Sequence, residues 1–241
     1  MEIAKNIEIL EETLWFKKEK IILLNDLHIG YEEALQRRGV LVPKFQLKEI
    51  LSKLESILEK TRPEKVIING DLKHEFGRVL RQEWKEVLEF LEFIINKGVE
   101  VIIIKGNHDH LMQVLANKKN ITLINSYVLG DNLILHGDEL VKEDINLKKF
   151  KRIIIGHEHP AIVLREGGKK EKYKCFLQGK WKNKELIVMP SFNPLLEGTD
   201  VSKEKLLSPF LTDISNFTVY IVGFREVLKF GKVKSFEKKF N

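Results

Sequence analysis

Residues 20–28 read KIILLNDLH, residues 66–71 read VIINGD and residues 99–109 read VEVIIIKGNHD. In each, a short apolar run, largely β-branched, breaks off into Asp, Asn or His. A run of that kind without polar alternation reads as a strand covered on both faces. Between the first and second, Leu47, Ile50, Leu51, Leu54, Ile57 and Leu58 recur at helical spacing. An amphipathic helix over about 46–60 is expected, stopped by Pro63. Between the second and third, Leu80, Trp84, Val87, Leu88, Leu91, Ile94 and Ile95 mark another helix, with Gly98 as its left-handed cap. Strand, helix, strand, helix, strand is the order of βαβ units and of a largely parallel sheet.

Farther along, the pattern changes. Strand-like segments at 121–130, 132–136, 152–156, 161–164, 172–180, 185–189 and 217–223 follow one another with little helix between them. Hairpins and a second sheet are the inference. Two mixed sheets face to face with helices outside make an α/β fold, a four-layer α/β/β/α sandwich. Residues 190–216 have no clear period and are expected to form a long loop or short helices. No repeat, low-complexity tract or flexible linker interrupts the chain, so a single domain over 1–241 is expected.

Composition narrows the function class only a little. The formal charge of +6, from 41 basic and 35 acidic residues, is dispersed and compatible with a polyanionic partner without demanding one. No apolar run approaches the roughly 20 residues needed to span a bilayer. The opening MEIAKNIEIL lacks the pattern of a signal peptide. A cytoplasmic protein with no membrane partner is expected. Cys175 is the single cysteine, which excludes an internal disulfide and fits a reducing compartment.

The chemistry lies just past the end of each strand, because open α/β sheets bind ligands beyond the carboxyl ends of their strands. KIILLN delivers Asp26 and His28, and VIIN delivers Asp71. VEVIIIK delivers Asn107, His108 and Asp109. Leu133–Leu135 delivers His136, and Lys151–Ile155 delivers His157 and His159. Carboxylate and imidazole without thiolate suit divalent Mn, Fe, Co, Ni or Zn. One carboxylate can bridge two such ions about 3.5–4 Å apart. Singly, each motif has an ordinary reading: Gly-Asp is a common turn, and a lone histidine is usually just hydrogen-bonded. Together, each at a strand end, they specify a site for two metals. The turn around Asp109 to Asn117 is expected to open a helix whose free N–H groups favour an anion.

Other residues carry weaker signals. His74 and Glu75 come shortly after the Gly-Asp motif, and Arg37 and Arg38 could reach a phosphate; His74, Arg37 and Arg38 are candidates for substrate binding. Each of these also reads as an ordinary helix end. His110 reads as a surface or supporting residue, and Ser191 to Asn193 as a loop bordering the site. Residues 165–184 interleave Lys with Tyr173, Phe176 and Trp181, as single-strand binders do. The simpler reading is a hairpin with one wet face.

In order, DLH, GD, GNHD, HG and GHEH resemble the signature of the calcineurin-like metallophosphoesterases, over about residues 20–160. The resemblance implies that Asp26, His28 and His159 hold one ion. It gives Asn107, His136 and His157 to the other and makes Asp71 the bridge. It further implies two divalent ions, with Mn2+ favoured and Fe, Ni, Co or Zn as alternatives. A bridging hydroxide would be the nucleophile, His108 the acid, and Asp109 the group that orients the His108 ring. A phosphodiesterase is the expected function. A phosphomonoesterase or nucleotide pyrophosphatase on the same metals is the alternative, and a non-catalytic metal-binding scaffold a further one. The longer strings DLHIGYEEALQRRGVLVP, GDLKHEFG and SFNPLLEG are similar to small archaeal phosphoesterases related to the SbcD nuclease, and to bacterial phosphoesterases encoded beside a DNA ligase. That similarity implies a link to nucleic acid or nucleotide substrates. The family also makes a homodimer an expectation.

Overall fold

A computed structural model describes residues 1–77, 80–109, 111–142, 145–166, 169–223 and 226–237. His110 lies outside the described residues, as do Gly167 and Gly168 within the Lys-rich stretch. The first sheet runs in the order β1 (Glu2–Ala4), β2 (Ile7–Leu10), β3 (Thr13–Phe16), β4 (Ile21–Asn25), β5 (Lys65–Asn69), β6 (Glu100–Ile104) and β7 (Thr122–Ile124). Strands β4 to β7 are parallel, and β1 to β3 add an antiparallel meander. The helices α1 (Tyr31–Arg37), α2 (Gln46–Thr61), α3 (Arg81–Asn96) and α4 (Met112–Lys119) lie between the strands in sequence. The expected helices are α2 and α3. Helix α2 stops at a left-handed Arg62 just before Pro63, and Gly98 comes after α3 with φ 75°.

The second sheet is built from β8 (Ser126–Leu129), β9 (Asn132–Leu135), β10 (Arg152–Ile155), β11 (Pro160–Glu166), β12 (Lys169–Trp181), β13 (Lys184–Val188), β14 (Thr199–Asp200), β15 (Thr218–Val222) and β16 (Val227–Lys232). Within it, β9, β10 and β13 are parallel, and β12 is antiparallel to β13 and β15. The last element among the described residues is the short helix α5 (Lys234–Glu237).

Side-chain alternation divides the apolar residues of the central strands between layers. Ile22, Leu24, Val66, Ile68, Val101 and Ile103 pack beneath α2 and α3, against Ile50, Leu54, Ile57, Val87, Phe90, Leu91 and Ile94. The intervening Leu23, Ile67 and Ile102 pair in register and face the other sheet. There Ile134, Ile154 and Ile187, also in register, receive them. Each such side chain contributes roughly 1.5–3 kcal/mol by leaving water. The central parallel strands are apolar throughout because both faces are covered.

The expected pair of facing mixed sheets is present, with three differences of detail. The segment expected as one strand over 121–130 is two: β7 ends the first sheet, β8 begins the second, and Asn125 is the crossing point. Its two halves are similarly β-prone, so composition hides the break. The meander β1–β3 lies where no element was expected, and α1 is the helix whose end Arg37 and Arg38 were expected to mark. On the outer face of the second sheet, Leu133, Ile153, Leu177 and Leu186 are covered by Phe210, Leu211, Ile214 and Phe217 of the irregular stretch after β14, and by Phe236 of α5. The fourth layer is therefore thin and mostly non-helical.

Candidate metal centre

Strands β4, β5, β6, β9 and β10 end at one edge of the sandwich, and their next residues converge there. His28 Nε2 lies 3.4 Å from His159 Nε2, and His159 Nε2 lies 3.2 Å from Asp26 Oδ2. On the other side, His136 Nε2 lies 3.2 Å from Asn107 Oδ1 and 3.4 Å from Asp71 Oδ2. The same Asp71 oxygen is 3.6 Å from His28 Nε2, so it faces both groups. Donor atoms of Asp26, His28 and His159 all fall within 4.8 Å of one another, as do those of Asp71, His136 and His157. Two donors each about 2.1 Å from a shared ion, at a tetrahedral angle, stand about 3.4 Å apart. The observed spacings match that geometry. Asp26 Oδ1 is buried, accepts no hydrogen bond among the described residues and has the His136 ring nitrogen Nδ1 3.5 Å away.

The backbone around these donors is under strain. Asp26, His28, Asp71, His157 and His159 all have positive φ, between 43° and 65°. Left-handed non-glycine residues cost on the order of 1–3 kcal/mol each and persist only where surrounding packing holds them. Close approach adds to this. A Cβ on Gly70 would stand 2.1 Å from His136 Nδ1, and one on Gly106 would stand 2.2 Å from Asp71 Oδ1. The glycines of the motifs therefore make room for the donors.

A comparison with known families matches residues 19–223 to the calcineurin-like phosphoesterases. The chain belongs to that family. A search of curated proteins finds no match. Among solved structures, nuclease MPE from Pseudomonas putida aligns with TM-score 0.64 and 19% identity, covering 92% of this chain and 98% of that one. Yfce, a phosphoesterase from E. coli, aligns with TM-score 0.37 and 13% identity over 86% of this chain and 96% of its own. The first likeness bears on the fold; the second is too distant to carry an argument.

In this calcineurin-like phosphoesterase the hydrogen bonds fix how each donor presents itself. His136 Nδ1 donates to the carbonyl of Asn69 (3.3 Å), which leaves Nε2 to face Asn107 and Asp71. Asp71 Oδ1 accepts from the backbone N–H of His108 (2.9 Å), and Asp26 Oδ2 accepts from that of His157 (3.0 Å). The Nδ1 of His108 meets the carbonyl of His74. Asp109, expected to orient that ring, instead accepts from the backbone of Leu72 (3.1 Å) and Gly106 (3.0 Å), tying together the turns after β5 and β6. Burial and the neighbouring Asp71 push its carboxyl up to about 7. For His136, burial opposes the charged ring, but Asp71 and Asp26 outweigh it and push its pKa up to about 10. For Asp71, burial is likewise outweighed, by His136 and the other histidines, and its carboxyl titrates well below the usual range.

The weaker candidates divide. His74 stands beside the centre, its ring stacked on His108 at 5.7 Å, with burial and the His108 charge pulling its pKa down to about 4. Arg37 is exposed at the end of α1 and ion-paired with Glu33 (2.7 Å). Arg38 is exposed, and its charge is felt at His74. Ser191 lies under the centre: its hydroxyl donates to the Asp26 carbonyl (2.7 Å), and Phe192 N–H donates to the Asn25 carbonyl (2.8 Å). Helix α4 starts at Met112, later than expected, and its first N–H groups include that of Met112, already bonded to the Asp109 carbonyl. Most of 165–184 is β11, β12 and the β12–β13 turn, with Cys175 and Leu177 in the core.

Supporting residues that the motifs gave no reason to expect include Gln46 and Lys174. Gln46 donates to the His28 carbonyl (2.8 Å) and accepts from Gly30 N–H (3.2 Å). Lys174 Nζ donates to the carbonyls of Ser191 (2.8 Å) and Asn193. Neither shows a local pattern, because each reaches the site from a distant part of the chain.

Proposed function

We propose that this protein is a phosphodiesterase that works with two divalent ions. The observation that carries the reading is one carboxylate oxygen, Asp71 Oδ2, shared between two donor sets. Asp26, His28 and His159 would hold one ion, Asn107, His136 and His157 the other, with Asp71 common to both. Ions bound there supply positive charge for the phosphoryl oxygens and lower the pKa of a coordinated water towards neutrality. Manganese is the favoured ion on the family resemblance, and the mixed oxygen and nitrogen donors suit Fe, Co, Ni or Zn as well.

The chain's own groups do the rest. His74 O can only accept, so the Nδ1 of His108 carries hydrogen. That leaves His108 Nε2 as the position that gains and loses a proton, fit to protonate the departing oxygen. Asp109, bonded to Leu72 and Gly106 N–H, keeps the turns after β5 and β6 in fixed relation. His74 flanks His108 and can contact the substrate. Nucleic acid or a nucleotide is the proposed substrate class, by likeness to a nuclease fold. A cytoplasmic homodimer is the proposed form.

The test is hydrolysis of bis(4-nitrophenyl) phosphate and of 4-nitrophenyl phosphate with manganese. A diesterase turns over the first faster, and a monoesterase the second. His108→Ala is expected to lose about 10²–10⁴-fold in kcat. Asp71→Asn is expected to lose most of the rate together with manganese binding. Near-normal turnover by Asp71→Asn would refute the shared-carboxylate reading.

A further inference from the structure

A cleft of about 520 Å³ opens beside His136 and Asn107, large enough for a nucleoside-sized group. Its lining is chemically divided. Leu133, Leu135 and Val141 are apolar, whereas Lys105, Asn125 and Ser126 are polar. Two large apolar side chains, Phe76 and Leu140, line it while remaining 56% and 49% exposed. The Phe76 ring also stands edge-on to His108, with centroids 5.7 Å apart. An exposed aromatic that lines a cleft and touches a candidate proton donor is placed to meet whatever is attached to the phosphate.

We propose that this cleft binds a planar ring carried on the phosphate ester, with Phe76 and Leu140 as specificity-determining residues. The inference rests on the phosphoesterase reading for the phosphate end of the ligand. A ring entering here removes apolar area of Phe76 and Leu140 from water, and a ring face against Phe76 adds stacking. Asn125 and Ser126 offer donors and acceptors to the edge of a heterocycle. A linear alkyl ester gains less, because it has no π-face and loses more conformational freedom on binding. A nucleobase and a simple aryl group share the required chemistry.

The experiment is calorimetry on the manganese-loaded protein with thymidine 5′-phosphate, phenyl phosphate and ribose 5-phosphate. The ring-bearing ligands are expected to bind about tenfold tighter than ribose 5-phosphate, the size of one base-stacking contact. Phe76→Ala is expected to abolish the difference and Leu140→Ala to narrow it, with ribose 5-phosphate affinity unchanged in both. Equal affinity for thymidine 5′-phosphate and phenyl phosphate, both above ribose 5-phosphate, would support the proposal with a bare ring sufficing. Tighter binding of the nucleotide would support it with the base edge recognised as well. Equal affinity for all three ligands in the unmodified protein, or an undiminished preference in Phe76→Ala, overturns the proposal even if diester hydrolysis is normal. A Phe76-dependent ring preference without any hydrolysis would uphold the cleft and reject the phosphodiesterase reading instead.

Discussion

Among individual residues, Asp71 and Gly106 show how little space the centre allows. Adding one methyl at Gly106 brings carbon within 2.2 Å of Asp71 Oδ1, and the backbone nitrogen of Asp71 is 2.5 Å away. Gly106→Ala is therefore expected to displace the shared carboxylate. Manganese affinity measured by calorimetry should fall at least tenfold while circular dichroism stays native, and unchanged affinity would contradict the steric argument. The His136 ring provides a second expectation. In the metal-free protein its pKa is pushed up to about 10, so at neutral pH the ring is an imidazolium paired with Asp71. A cation must displace that proton. Binding at pH 7.5 is expected to release about one proton from His136, read from calorimetry in buffers of different ionisation enthalpy, and affinity should weaken as pH falls. The sign is reversed for stability of the metal-free protein. A raised histidine pKa stabilises fully below the unfolded value of about 6.5, and that contribution is lost as pH rises through about 10. The convergence of Asp26, His28, Asp71, His136, His157 and His159 was legible in the sequence because each comes shortly after a readable strand. Gln46 and Lys174 were not, since contacts formed across the fold leave no local pattern. The His108 ring meets a backbone carbonyl rather than Asp109 for a related reason: a backbone carbonyl has no sequence signature.

At the scale of elements, legibility tracked the strength of periodicity. The buried runs of β4, β5 and β6 and the apolar stripes of α2 and α3 admit one reading each. The short β1–β3 alternate, as Ile7 and Ile9 show, but turns separate them after only a few residues. Helix α1 is also short, and its main contribution is polar. Glu32 on α1 is buried and accepts from the backbone N–H of Phe45 and Gln46, both at 2.9 Å, capping the start of α2. Glu32→Ala leaves both N–H groups without that acceptor and is expected to cost about 1–3 kcal/mol. For a chain of this length that lowers the Tm by about 2–4 °C per kcal/mol, measurable by calorimetric melting. A shift below about one degree would mean that water replaces the carboxylate at no cost.

For the molecule as a whole, the two sheets pack face to face, and the strand ends of both come together at one edge, so the centre spans their junction. Asp26 and Asp71 come from the first sheet, and His136, His157 and His159 from the second. Cations bound by both belong to the folded state alone, since the unfolded chain does not assemble the set. Manganese at about 100 times its dissociation constant is expected to add roughly 2.7 kcal/mol per independent site. Chelation should reverse that gain as a drop in Tm, and an unchanged melting curve would argue that no ion spans the junction. The two-sheet architecture was readable from the change in element rhythm near residue 120. The thin outer layer was not, because the residues between β14 and β15 bury Phe210, Leu211 and Phe217 without any repeating period.

Glu158 adds a mechanical connection to this picture. Its neighbours His157 and His159 face the donors, whereas its own carboxylate turns away and accepts from the backbone N–H of Leu207 (2.7 Å) and Ser208 (2.9 Å). The tripeptide that presents two imidazoles is thus moored to the padding on the far side of the second sheet. Slackening that padding with Phe210→Ala, remote from every ligand atom, is expected to speed cation escape, monitored by stopped-flow capture with a fluorescent chelator. Durable retention of the ion would then depend on how well a stretch without regular structure is packed.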